Sequence, residues 1–597
     1  MDHDHTALYT PLREPIDKLL FVITCLIGGL FAAYAIRLGV HLAMVDQFSH
    51  LAIARQITDS MTPGLSQLGF WPPLVHILMA PFAAIGPLFT SGIAAPLALV
   101  PILALSAVYL FRLLLLLGVH RPIAMAAVAA YVLNPYVLYY AVTPMSDTLF
   151  MALLIIATYY LARWWLTDEL FALMWMGAAG ALASLARFEG FFLIAFAGLS
   201  VLLRLFLKRA PLVKMEAAAH LYGLVAGLGV VFILAYGITF AGDPLEFMNN
   251  EWGAYAQQRS QILYAEHDLP AALTYLLSAS EVMVGGALVV VGTVAAIAVL
   301  LCARRARALI ASVVLLLLSP FIFDLFALFQ GSAVIYLPEL PPFNGAYFNE
   351  RYGLYWLVFL ITMPALAATM LYRRVRSAGW YLQPVALFAA GVVACLPVAA
   401  SHQLFTTVAC AGCFEPIRNS LQSSPGDQRV IAQTLNQQYD GGRILMTRAL
   451  HNEVAVGAGV PLSRYILEAN EHYFDQALKY PWLFADWVVM HNARGDQNEW
   501  ARQNERVALL WTDNEQFDSF YTEVYVGDRS VLYRLDHAAV RDYAARHELP
   551  RSLVPTLGPN NRPWDVEETF AQLDARLTGA RPPGEALSRA PVEEFEN

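Results

Sequence analysis

Charge is what this 597-residue chain has least of: Asp, Glu, Lys and Arg together make up 14% of it. Soluble domains run nearer 25% charged, so a water-surrounded globule is excluded for the chain as a whole. Five cysteines in 597 residues exclude a disulfide-built scaffold. Lysine occurs four times against 34 arginines, and no stretch gathers basic residues into the stripe that phosphate-backbone contact needs, which argues against nucleic acid as a partner. Heptads and internal repeats are also missing.

What is present is apolar, 58% of the residues, gathered in blocks near 20 long that suit a bilayer. Charge divides the chain further. Residues 1–401 carry 20 basic and 20 acidic residues, whereas residues 402–597 carry 18 and 27, so the whole net charge of −9 lies in the last third. The first block, 18–40, follows a polar cytoplasmic N-terminus (1–17) and reads as a retained signal anchor. Ten further spans are expected at about 95–117, 122–141, 147–165, 170–186, 190–206, 217–241, 281–302, 308–327, 352–372 and 380–400. The stretch 71–94 is apolar but broken by Pro and Gly. If it does not span, about 15 basic and 7 acidic residues fall inside and about 5 and 13 outside, as the positive-inside rule requires. It is therefore expected as an interfacial or re-entrant helix. Eleven spans place the C-terminal third outside the cytoplasm. The expected class is a polytopic α-helical membrane protein with outer loops at 41–94, 242–280 and 328–351. An extracytoplasmic α/β domain (402–537) and a charged, Pro-containing, partly ordered tail (538–597) complete it. The arginine excess points to a GC-rich bacterial genome, hence to a bacterial inner membrane.

Within 402–537, Arg443–Met446 and Trp487–Met490 read as buried strands, and 521–525 with 531–534 as a hairpin around Gly527-Asp528. Helical patterns fall near 427–438, 449–456, 470–478 and 498–505, and in the tail near 538–548 and 564–577. No nucleophile elbow, phosphate loop or zinc pattern occurs there, so a binding or lid role is expected. Cys410 and Cys413 form a C-x-x-C for which an oxidising compartment predicts a local disulfide.

Charges beside spans are costly and mark function by default. Four clusters fall at one membrane face by parity. They are Asp46 through Arg55 in the first outer loop, Thr143-Pro144-Met145-Ser146-Asp147, Arg187-Phe188-Glu189-Gly190, and Asn349-Glu350-Arg351-Tyr352. Each has a plain alternative: Asp46 or Asp147 as a helix cap, Arg187–Glu189 as a structural pair, Arg351 as a snorkelling cation.

Together the clusters resemble the GT-C superfamily of membrane glycosyltransferases. Asp46 with the helix ending in Ala54-Arg55 is similar to that family's acidic first-loop motif, and Pro72-Pro73 to the start of its second loop helix. Asn134-Pro135-Tyr136 through Asp147 looks like the end of its third span. The likeness covers residues 18–400 and is nearest the branch of protein O-mannosyltransferases and lipid A aminoarabinose transferases, family 39-like. It departs at Gln47, where many members carry a second acid.

The resemblance implies transfer of a hexosyl or pentosyl unit from a polyprenyl-phosphate donor to a glycan, lipid or protein acceptor on the outer face. Asp46 is then the expected general base, and Arg351, Arg187 and His50 are expected at the donor phosphate. Asp147, Glu189, Arg55, Glu251 and Tyr255 are expected at the acceptor or sugar. No metal-ligand set supports a divalent cation, and no cofactor is assigned. The competing readings are a lipid-linked oligosaccharide ligase or polymerase and a non-enzymatic transporter or flippase. Against the transporter, no inverted repeat shows and the charges gather at one face.

Overall fold

The computed structural model describes residues 15–250, 263–303, 306–343, 347–376, 426–495, 505–558 and 566–578, with isolated positions 253, 384 and 391. The chain forms two compact units, one of residues 1–58 and 68–424, the other of residues 59–67 and 425–597.

The first unit is helical. Among the described residues, six helical runs are long and apolar enough to cross a membrane: Pro15–Leu38, Ala94–Leu116, Asp147–Thr167, Gly190–Leu207, Leu212–Ala241 and Glu350–Arg376. Three bent pairs bring the number to nine if each is one span. Hydropathy merges such pairs because it does not register a change of direction. Arg121–Val132 and Pro135–Val142 meet at 57°, where Pro135 forces Asn134 out of the helical region and the Asn134 side chain caps the next helix. Leu269–Val284 turns by 109° into Gly286–Cys302 at Gly285, whose φ of 87° suits a residue without Cβ. The expected outer loop 242–280 therefore carries much of a helix, which its apolar spacing did not announce. Arg307–Leu317 and Ser319–Phe329 bend by 47° beside Pro320. Leu170–Ala186 is apolar and 17 residues long, and the expected span 380–400 lies outside the described residues. In the 71–94 stretch the helices are Leu74–Ala83 and Gly86–Thr90. Ten residues rise about 15 Å, half a bilayer core.

The second unit holds a five-stranded sheet in the order β2-β1-β3-β5-β4. β1 (Ile444–Met446) runs parallel to β2 (Tyr465–Ile466) and to β3 (Trp487–His491), while β5 (Ser530–Leu535) is antiparallel to β3 and to β4 (Tyr521–Val526). The hairpin and both buried strands match the sequence expectation. β2 is two residues long and carries no readable period. Trp482 stacks on Phe520 at 4.7 Å between centroids in the core beneath.

Two expected boundaries change. Val540, Ala544, Leu549, Leu553, Val554 and Leu573 are buried in this same core, so the described residues between 538 and 578 pack as part of this unit and not as a separate tail. Its apolar residues are sparse, but they fall on one side of His537–Arg546 and Val566–Thr578. Residues 59–67, expected within the membrane domain's first loop, also belong to the second unit. The Asp59 carboxylate accepts the Leu462 and Ser463 amides, each at 3.1 Å, and Asn470 Nδ2 donates to Thr62 Oγ1 at 3.0 Å. The expected helix 498–505 and the C-x-x-C at Cys410 and Cys413 lie outside the described residues.

Candidate functional site

Asp46 stands in the first turn of the Val45–Gln56 helix, and capping is not its work. Gln47 does that: its Oε1 accepts the Ala43 and Met44 amides at 2.7 and 3.1 Å, and its Nε2 donates to the Tyr139 hydroxyl at 2.9 Å. That hydroxyl in turn donates to the Val40 carbonyl. The position where a second acid was looked for is thus a buried amide that ties the helix start to the Pro135–Val142 helix. Asp46 keeps its carboxylate for a different partner, Arg351, whose Nη2 lies 3.1 Å away. The Asp46 side chain is 34% exposed and that of Arg351 13%, so the acid faces the open side of the pair. Arg351 Nε is buried and has no hydrogen-bond partner among the described residues.

Arg351 is placed by a turn of 3-10 helix, Glu350–Leu354, that follows Asn349 in the left-handed region. Gly353 lets that turn press onto the Leu269–Val284 helix. A Cβ there would stand 2.3 Å from the Ala279 carbonyl carbon and the Ser280 nitrogen.

The second arginine comes from the turn between Leu170–Ala186 and Gly190–Leu207. Its tightness needs Gly190, where a Cβ would meet the Ser184 nitrogen at 2.3 Å. Arg187 binds Glu189 at 2.7 Å, approaches Asp147 Oδ1 at 3.7 Å, and lies over the Tyr355 ring at 4.8 Å. Asp147 is wholly buried and accepts the Tyr355 hydroxyl at 2.5 Å, while its other oxygen has no partner among the described residues. Asp46 and Arg351 form one pair, and Arg187, Asp147 and Glu189 form a cluster. Tyr352 bridges the two, its ring 6.0 Å from the Arg351 guanidinium and 5.8 Å from that of Arg187.

His50 is buried, its Nδ1 2.7 Å from His76 Nε2 and its ring 4.3 Å from that of Trp71. Burial, with the positive charges of Arg351 and Arg187, pushes its pKa down to about 3, so it meets any phosphate as a neutral ring. Arg55 points elsewhere: its guanidinium donates to the carbonyls of Ala83 and Ala84 and lies over Phe89. It fastens the end of the Leu74–Ala83 helix. Glu251 and Tyr255 lie outside the described residues.

One acid escaped the sequence reading, and another was quoted there without a role. Asp324 is buried in the Ser319–Phe329 helix with one oxygen unpartnered, within electrostatic reach of Arg187, Glu189 and Asp147. Glu350 is buried beside Arg351. A lone acid inside an apolar block was the available signal for Asp324. Among the described residues, no three His, Cys, Asp or Glu side chains converge as a metal site. An apolar crevice opens nearby, walled by Trp71, Pro72, Phe188, Phe232, Tyr236 and Phe247.

No family model and no curated protein matches the chain. Among solved structures it is similar to ArnT from Cupriavidus metallidurans, a lipid A aminoarabinose transferase in a crystal structure bound to undecaprenyl phosphate. The two are 14% identical over 87% of this chain and 98% of ArnT, with a TM-score of 0.50. The apo oligosaccharyltransferase of Archaeoglobus fulgidus is 10% identical over 96% of this chain and 85% of its own, with a TM-score of 0.46. At such identities the likeness is one of fold, and it rests on ArnT: the chain is a multi-pass membrane protein that shares the fold of ArnT.

Proposed function

We propose that the chain is a membrane glycosyltransferase that moves a sugar from a polyprenyl-phosphate donor to a hydroxyl acceptor, at the membrane face where the Asp46 cluster lies. The observation that carries this reading is the Asp46–Arg351 pair, an open carboxylate held 3.1 Å from a guanidinium with a spare buried N–H. Without substrate each partner satisfies the other. A donor phosphate offers Arg351 a better match, because a guanidinium binds phosphate oxygens in bidentate fashion. Arg351 then turns to the phosphate and Asp46 is released beside the acceptor.

In the transfer step the acceptor oxygen attacks the anomeric carbon and gives its proton to Asp46. The bond from the anomeric carbon to the phosphate oxygen breaks, and its electron pair leaves with the carrier phosphate. Arg351, with Arg187 behind it, stabilises that growing charge. Asp147 and Glu189 hold Arg187, and Asp147's free oxygen is available to a sugar hydroxyl. The apolar crevice beside Phe188 suits an isoprenoid tail, and the fold shared with ArnT, whose structure holds undecaprenyl phosphate, favours a carrier of that class. The orientation with this face outside a bacterial inner membrane follows from the basic residues at the opposite helix ends.

Incubation of the purified protein with radiolabelled polyprenyl-phosphate sugars tests the reading. Release of carrier phosphate with label passing to an acceptor is expected. A donor that binds but is never cleaved by wild-type protein, whatever acceptor extract is supplied, would overturn it.

A further inference from the structure

The helical run that begins with Glu350 and Arg351 ends with Arg373, Arg374 and Arg376. Its last 20 residues, Leu357–Arg376, rise about 30 Å, one hydrocarbon thickness, so this end belongs to the membrane face opposite Asp46. There the run meets the end of Ala94–Leu116 and the start of Arg121–Val132 around an open cleft of about 600 Å³. Its rim carries Arg121, Arg373, Arg376 and His120, its floor is Leu115 and Val119, and among the described residues no acid lines it. Tyr372 packs against His120, 4.7 Å between ring centroids, and Arg373 donates to the Gly118 carbonyl at 2.7 Å.

Four other basic residues at this face have acids. Arg112 pairs with Asp17, Arg163 with Glu169, and Arg204 and Lys208 with Asp168. Among the described residues, Arg121, Arg373 and Arg376 have no carboxylate partner, although they share one cleft. Three uncompensated guanidiniums around a concavity repel one another, and an anion set among them removes that repulsion. The cleft's position at the ends of spanning helices, with an aliphatic floor below the charges, suits a headgroup whose acyl chains enter the bilayer.

We propose that this cleft is a binding site for the phosphate headgroup of an anionic membrane phospholipid, separate from the transfer site and about one bilayer core away from it. Arg121 and Arg376 grip the phosphate oxygens, Arg373 supports them from its tether on Gly118, and the acyl chains run along the helices past Leu115.

The test uses full-length protein in a neutral detergent, with thermal shift and native mass spectrometry as readouts. Probes are cardiolipin, phosphatidylglycerol, phosphatidylcholine and inorganic phosphate. Cardiolipin and phosphatidylglycerol are expected to raise Tm and remain bound in the spectrometer, and phosphatidylcholine to do neither. The double variant R121Q/R376Q, which alters two exposed side chains with no described partner, should bind the anionic lipids about 30-fold more weakly at about 1 kcal/mol per arginine. Lys214→Gln, an exposed change away from the cleft, should bind as wild type does. Unchanged lipid affinity in R121Q/R376Q, or equal stabilisation by phosphatidylcholine, would overturn the site. An equal Tm shift from millimolar inorganic phosphate, abolished in the double variant, would assign the cleft to free phosphate and overturn the lipid.

Discussion

Two carboxylates, one in each unit, differ in how many neighbours claim their oxygens. Glu505 in the C-terminal unit is wholly buried and surrounded by donors: the Thr447 hydroxyl and the amides of His491, Val507 and Ala508. It caps the Arg506–Trp511 helix and joins it to the ends of β1 and β3, and its oxygens have no capacity left for a ligand. Among the described residues Asp46 has one partner, Arg351, and a third of its side chain meets solvent. Sequence cannot tell these acids apart, since each stands at the start of a helix. What differs is how many neighbours claim the oxygens.

The largest expected effect falls on the open acid. Asp46→Asn should lower the transfer rate about 10²–10⁴-fold, the usual worth of a general base, with Tm unchanged because the carboxylate supports no backbone. Arg351→Ala should cost about 10²–10³-fold in kcat, as loss of a charge-stabilising donor does. Arg351→Lys should recover part of that while KM for the donor stays raised; a lysine variant as active as wild type would mean that the bidentate grip is not used. Gly353→Ala probes placement alone: the new methyl collides with the Ala279 and Ser280 backbone. A stability loss of about 1–3 kcal/mol, read as a lower Tm, and roughly tenfold slower transfer, equivalent to about 1.4 kcal/mol in the barrier, should appear together.

The saturated acid should break the other way. Glu505→Gln presents an amide N–H to backbone donors and should cost the C-terminal unit about 1–3 kcal/mol, read as Tm, with transfer unchanged below the transition. The smallest effect is one of pH. Burial pushes His50 and His451 each down to about 3, whereas an unfolded histidine titrates near 6.5. Between those values the unfolded chain binds more protons than the folded one, so stability should fall as pH drops from about 6.5 toward 3. His451→Gln should flatten the C-terminal unit's share of that slope in Tm measured from pH 7 to pH 4.

The legible parts of the molecule were those with a local period or a local charge. Apolar blocks marked helical runs among the described residues though not their bends, alternation marked the 521–535 hairpin, and four short polar clusters marked Asp46, Asp147, Arg187 and Arg351, which the fold gathers into two adjoining groups. What stayed hidden depends on contacts distant in sequence. Arg55 stands in the last turn of the helix that Asp46 opens, yet it reaches the carbonyls ending Leu74–Ala83, a partner no spacing announces. Gln47 read as a departure from a paired-acid motif, and only its three hydrogen bonds show why an amide serves there. Asp324 disappeared into an apolar average. Residues 59–67 are some 400 positions from the strands and turns they join, and β2 is too short to have a period.

The most direct test sets D46N beside E505Q, each purified at full length and assayed for both transfer from a radiolabelled polyprenyl-phosphate sugar and Tm. The account predicts a crossed result: D46N keeps its Tm and loses transfer, and E505Q loses Tm and keeps transfer. Turnover by D46N at the wild-type rate would contradict it.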